Sequence, residues 1–208
     1  MGELHCVAER VGPLKAGQVL FHAGAPLRAL FVVHLGALKT SRVDFEGREQ
    51  ILEFHLPGDT VGLDAIYPQR YLCDAVALEP TECCGFPIPE IEALAEAHSG
   101  ICHQLVGMLS KELGSAGLLA GNFTADERVA AFLLDLSARF TARGLSGTRF
   151  RLSMSRCDVA NYLRLAAETV SRVLARFRRR GLIMIDGRDV ELLNLPRLRT
   201  LARCALGV

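Results

Sequence analysis

The chain has 208 residues, half of them apolar, enough for one large domain or two modest ones around a substantial core. No apolar run approaches the ~20 residues of a membrane-spanning helix, so no membrane partner is expected, and the start Met-Gly-Glu-Leu-His-Cys lacks the basic and apolar regions of a signal peptide. The 7 cysteines, odd in number and set in apolar contexts, suit a reducing cytoplasm better than a disulfide framework.

A formal charge of +1 hides a division. Residues 124–208 hold 16 arginines, no lysine and 8 acids, whereas residues 1–123 hold 8 basic and 15 acidic residues. That asymmetry suggests a basic, nucleic-acid-binding module attached to an acidic partner domain.

From about Pro13 to Pro89 the pattern is that of β-structure. Short apolar runs (Val19–Phe21, Leu30–Val33, Ile51–Phe54, Val76–Leu78) alternate with turn signals such as Gly24-Ala25-Pro26, Glu46-Gly47 and Pro57-Gly58-Asp59. Many short strands with glycine turns predict an α+β chain that opens on a β-sandwich or jelly-roll barrel, its interior open to an effector or filled by side chains. Residues 93–122 turn helical, and Leu105, Met108, Leu109 and Leu113 outline an apolar stripe that predicts a homodimer seam, with small residues allowing close approach. The alternative is that this helix packs on its own barrel. A further amphipathic helix runs over 125–143, with Val129, Phe132, Leu133, Leu136 and Phe140 inward and Thr124 and Glu127 in capping-box positions. The predicted division is an effector or sensor domain over 1–97, a dimerisation helix over 98–123 and a DNA-binding domain over 124–208.

The last third carries the chemistry. Ser155 is a candidate N-cap with Asp158 three residues on; Val159, Ala160, Leu163 and Leu165 give a short helix, and Leu165-Ala166-Ala167 a tight turn. A second helix starts near Glu168, with Val170, Val173, Leu174 and Phe177 at i, i+3, i+4 and i+7, and Gly181 stands where a terminating residue needs positive φ. Two helices joined in this way predict a helix-turn-helix. Glu168, Ser171 and Arg172 share the opposite face, and an acceptor, a hydroxyl and a donor fork are the groups that read base edges in a major groove. Arg156, Arg176, Arg179 and Arg180 are the candidates for phosphates, which need charge more than geometry. The short strand 149–152 and a hairpin over 182–193, with a type I′ turn at Asp186-Gly187, complete a winged motif with Arg188 at the tip, a further phosphate candidate. Residues 196–206 predict a short packing helix.

The order of these parts resembles the Crp/Fnr family of bacterial transcription regulators over nearly the whole chain. The stretches that carry the resemblance are Gly58-Asp59-Thr60-Val61-Gly62-Leu63-Asp64-Ala65-Ile66, residues 125–132 and Arg156 to Arg172. Glu168-Thr169-Val170-Ser171-Arg172 is similar to the Fnr-type recognition signature Glu-x-x-Ser-Arg. The resemblance implies a cyclic-nucleotide-binding-like β domain, a homodimer on double-stranded DNA with a TTGAT-N4-ATCAA-like palindrome, and an activator or repressor that engages RNA polymerase through surface loops, Gly58 to Ile66 among them.

Departures concern the input. Cyclic-nucleotide members of the family hold the ribose with a Glu and the phosphate with an Arg-Ser pair, where this chain has Gly62-Leu63 and Tyr71-Leu72, with Arg70 one residue away; this argues against cyclic AMP. Oxygen-sensing members ligate a [4Fe–4S] cluster with an N-terminal cysteine cluster and one later cysteine, which Cys84 or its neighbour Cys83 resembles. Ahead of the barrel stands only Cys6, so a cluster requires residues upstream of Met1, and the spacing of Cys6, Cys73, Cys84 and Cys102 does not favour a substitute. His22, His34, His55 and His103 do not single out a haem ligand, and Cys157 beside Arg156 and Arg164 is either a packed thiol or a redox-sensitive one. The effector thus stays unknown: a redox, oxygen or small-molecule signal. The rival reading is an effector-binding module whose basic tail docks a protein or membrane. No paired carboxylates or nucleophile with a base suggest an enzyme.

Overall fold

The computed structural model describes residues 8–120 and 122–206, with the backbone alone at Ser99, 111–120 and 204–206. Contacts divide the chain into two units, Met1–Glu112 and Leu113–Val208.

The first unit is built on eight strands: β1 (Glu9–Leu14), β2 (Val19–Phe21), β3 (Ala29–Leu35), β4 (Leu38–Val43), β5 (Glu49–His55), β6 (Thr60–Val61), β7 (Asp74–Ala77) and β8 (Thr81–Pro87). They form two four-stranded sheets, β1-β8-β3-β6 and β2-β7-β4-β5. The sheets are open and pack face to face, so the jelly-roll is present without a closed barrel. Alternation explains the packing: along β7, Ala75 and Ala77 are buried while Asp74 and Val76 are only half-buried. The core between the sheets joins Phe21, Val33, Leu38, Val61, Tyr71, Ala75, Ala77 and Cys83. Four strands lie outside the runs expected from sequence, the two-residue β6 among them. β1 begins before Pro13, and β4 and β8 carry Lys39, Arg42, Glu82 and paired cysteines that interrupt an apolar run.

Helix α1 (Ile88–Ala97) begins earlier than expected, with Pro89 inside its first turn, a place where a missing N–H costs nothing. His98 ends it in an extended conformation, and α2 (Ser99–Ala120) follows. No helix among the described residues is long and apolar enough to cross a membrane.

The second unit holds α3 (Ala125–Ala142), β9 (Arg149–Arg151), α4 (Arg156–Tyr162), α5 (Ala167–Arg179), β10 (Ile183–Asp186), β11 (Asp189–Leu192) and α6 (Leu195–Leu206). Its core joins the inward faces of α3, α4, α5 and α6 through Val129, Leu133, Leu136, Val159, Leu163, Val170, Val173, Phe177, Leu198 and Ala202, all under a tenth exposed. The Phe140 ring stacks on Phe150 of β9 at 5.2 Å, tying the three-stranded wing, in order β10-β11-β9, to α3. The wing turn differs from expectation. Asp186 pairs with Asp189, so the loop is Gly187-Arg188, and only Gly187 takes positive φ (56°). One positive φ at the first loop position is the pattern of a type II′ turn, not I′, and glycine supplies it.

Candidate nucleic-acid interface

Local chemistry sets the two helices of the motif. At the start of α4 a full capping box forms: Ser155 Oγ accepts from Asp158 N at 3.1 Å and the Asp158 carboxylate accepts from Ser155 N at 3.0 Å. Thr124 and Glu127 do the same for α3. Two orphan amides are satisfied at each end. The turn begins two residues earlier than expected, at 163–166, because Arg164 takes positive φ (54°) while Leu163 is fully buried. Helix α5 ends in a Schellman motif: Gly181 (φ 64°) donates to Arg178 O and Leu182 N donates to Phe177 O, both at 3.0 Å.

The apolar face of α5 buries Val170, Val173, Leu174 and Phe177, which leaves Glu168, Ser171 and Arg172 exposed on the other side. They stand together: Arg172 Nη2 donates to Glu168 Oε1 at 2.5 Å, an i,i+4 pair in which both side chains are largely open to solvent. Such a pair adds little stability, but it holds the guanidinium over the exposed face. Of the phosphate candidates, Arg179 and Arg180 are exposed at the end of α5, Arg156 is half-buried at the start of α4, and Arg188 on the wing turn donates to Ser153 O at 3.1 Å, just ahead of α4.

Arg176 is placed otherwise. Its Nε donates to Asp126 Oδ2 at 3.1 Å and its Nη2 pairs with Asp126 Oδ1, locking α5 to the first turn of α3. The hydrogen bond to Asp126 raises the Arg176 pKa above its already high value. A guanidinium held by a carboxylate in this way serves the fold, which leaves less of it for the phosphate role expected of Arg176. Arg128, also unmarked by the sequence pattern, donates from Nε to Phe123 O at 3.1 Å and from Nη1 to Leu163 O at 2.9 Å. It pins the turn of the motif to the segment that enters α3. Residues 126 and 176 stand 50 apart, and no periodicity reveals such a pair.

In the first unit, Leu63 and Tyr71 occupy the positions where cyclic-nucleotide relatives would need polar groups, and both are buried. The Tyr71 ring stacks on Phe21 at 3.8 Å, and Tyr71 Oη donates to Ala29 O at 2.8 Å. Gly62 (φ 96°) lies against that ring, where an added Cβ would come within 3.2 Å. Aromatic side chains fill this part of the interior and Arg70 is exposed, which does not fit a cyclic nucleotide. The described cysteines do not fit a cluster either. Cys73 and Cys83 are buried with thiol pKa values raised by burial to about 12 and about 11, Cys84 is half-buried on β8, and Cys102 and Cys157 are exposed. Among the described residues no three of His, Cys, Asp or Glu gather as a metal site; Cys6 lies outside the described residues. Among the described histidines His55 is the buried one, with Nε2 against Thr40 Oγ1 at 3.1 Å. On α2, Leu105 and Leu109 are half-buried, Met108 is 40% exposed with its Sδ accepting from Thr60 Oγ1 at 3.6 Å, and the Leu113 side chain lies outside the described residues.

A β domain of this topology followed by a basic winged helix-turn-helix is the arrangement of a DNA-binding transcription regulator. Residues 12–98 match the cyclic nucleotide-binding domain family and residues 127–201 the Crp-like helix-turn-helix domain family. The chain is 44% identical over 205 residues to the transcriptional activator protein Anr of Pseudomonas aeruginosa, covering 97% of this chain and 84% of that one. It is 38% identical over 201 residues to the anaerobic regulatory protein of Haemophilus influenzae, covering 95% and 78%. The structure of FixK2 from Bradyrhizobium japonicum superposes with a TM-score of 0.85 at 31% identity, covering 94% of this chain and 97% of that one. The chain therefore belongs to the Crp/Fnr family of transcription regulators; it is not an enzyme.

Proposed function

We propose that this chain acts as a homodimer that binds a TTGAT-N4-ATCAA-like palindrome in the cytoplasm and engages RNA polymerase, in response to a redox, oxygen or small-molecule signal. The observation that carries the reading is the exposed constellation of Glu168, Ser171 and Arg172 on α5, with the guanidinium held by Glu168. A donor fork suits the O6 and N7 of guanine, and a carboxylate suits the amino group of cytosine, the two bases of the pair at the third position of TTGAT. One winged motif reads a half-site, so a twofold arrangement matches a palindrome. The seam assigned to α2 uses Leu105, Met108, Leu109 and Leu113, and the functional division runs 1–97, 98–123 and 124–208.

An anaerobic regulatory protein among the relatives supports oxygen as the signal class. The described residues do not supply a cluster site, so no step of this reading runs through one. For polymerase, Gly58 to Ile66 remains the proposed surface; its exposed residues are Gly58 and Asp64, and Tyr67 beside it is 97% exposed. Fluorescence anisotropy with the palindrome and a scrambled duplex tests the reading. Preference for the palindrome supports it, and equal affinity for both overturns the base-reading assignment.

A further inference from the structure

We infer that Arg164, in the turn between α4 and α5, is a DNA phosphate contact that none of the recognised motif positions supplies. Its backbone is in the left-handed region, φ 54°, and among the described residues of the second unit it is the one non-glycine residue there. An L-residue is disfavoured in that conformation because Cβ crowds the following carbonyl, and glycine would meet the same backbone demand without that strain.

The turn is held in this shape from both sides. Leu163 is fully buried, its carbonyl accepts from Arg128 Nη1 at 2.9 Å, Arg164 N donates to Asn161 O at 3.1 Å, and Leu165 N donates to Ala160 O at 2.9 Å. The conformation therefore belongs to the motif, and the arginine side chain is an addition to it. That side chain is exposed, and among the described residues its guanidinium makes no hydrogen bond or ion pair. No polar contact of that side chain among the described residues offsets the strain. A strained residue kept in place points to a task outside the folded chain.

The position names the task. Arg164 stands four residues ahead of Glu168, beside the end of α5 that carries the reading face. A helix lying in a major groove is flanked by the phosphates of the groove's edges, and a long, flexible cation on the adjoining turn meets phosphate, not base edges. The contact then adds affinity and salt dependence and leaves sequence preference alone.

The inference rests on DNA binding by the winged motif and can fail separately from the palindrome. Binding of the full chain, R164Q, R164G and R172A to the palindrome and to a mixed-sequence duplex is measured across a salt series, with thermal melting of each variant alongside. R164Q keeps the side-chain strain and removes the charge; R164G removes both. Both variants are expected to lose about 0.9 per subunit from the log–log salt slope on both duplexes, about eightfold in affinity at 0.1 M salt, while R164G melts no lower than the parent. R172A serves as the contrast, losing affinity on the palindrome alone. Parental slopes in R164Q and R164G, a loss confined to the palindrome, or a lower melting temperature for R164G would each overturn the assignment. A parent chain without salt-dependent binding overturns it as well, and that curve alone shows that the DNA-binding reading failed first.

Discussion

The pair between Asp126 and Arg176 offers the sharpest test of how the recognition helix is held. Its Asp126 and Arg176 side chains are 23% and 35% exposed, between the open surface, where an ion pair adds about 0–1 kcal/mol, and the interior, where removing one partner costs about 3–5 kcal/mol. Two contacts in the fork geometry of arginine and carboxylate place the cost of Arg176→Ala or Asp126→Ala near 2 kcal/mol, order of magnitude. For a chain of this size that lowers Tm by about 4–8 °C. The assay is a double-mutant cycle on urea unfolding followed by circular dichroism, with a coupling energy of about 1–2 kcal/mol expected. Because Arg176 is engaged inside the unit, R176A should weaken DNA binding through the fold and keep the salt slope of the parent. A coupling energy below about 0.3 kcal/mol would refute the positional role. A slope reduced by about 0.9 in R176A would refute it too and return Arg176 to the phosphate contacts.

Arg172→Ala is expected to cost about 1–3 kcal/mol on the palindrome and almost nothing on a scrambled duplex, measured by anisotropy; equal losses on both would count against base reading. Arg179→Ala, at the exposed end of α5, should weaken both duplexes alike and flatten the salt slope by about 0.9, whereas an unchanged slope removes it from the phosphate contacts. Alkylation of the native chain at neutral pH, mapped by mass spectrometry, should modify Cys102 and Cys157 and spare Cys73 and Cys83, whose buried thiols resist ionisation. The same burial has a pH consequence. Cys73 titrates near 9 when unfolded and about 12 when folded, so its contribution is intact below pH 9 and is lost as pH rises from 9 toward 12. Urea midpoints that stay level from pH 8 to 11 would contradict that placement.

Much of the DNA-binding unit is legible because its signals are local. Capping boxes at Thr124 and Ser155, the apolar spacing of Val170 to Phe177 and the glycine at 181 each act within a turn or two of helix. The misplacements have equally local causes. The turn of the motif at Arg164 is not visible in the sequence because an arginine there carries no glycine signal, and the wing turn shifts because Asp186 pairs with Asp189 instead of entering the loop. What the pattern does not show is long-range. Asp126 looks like an ordinary first-turn acid and Arg176 like one more cation in a basic run until the fold sets them together. Tyr71 reads as an absent phosphate ligand, and only the packed sheets show it stacked on Phe21.

The most direct test of the central claim combines assembly and sequence preference in one experiment. Sedimentation velocity of the aerobically purified chain with a labelled TTGAT-N4-ATCAA duplex, against a scrambled duplex at two salt concentrations, reports both. A complex of two chains per palindrome that persists at the higher salt, with none on the scrambled duplex, is the result expected. One chain per duplex, or salt-labile binding to both sequences alike, would contradict the assignment of a dimer reading a palindrome through Glu168, Ser171 and Arg172.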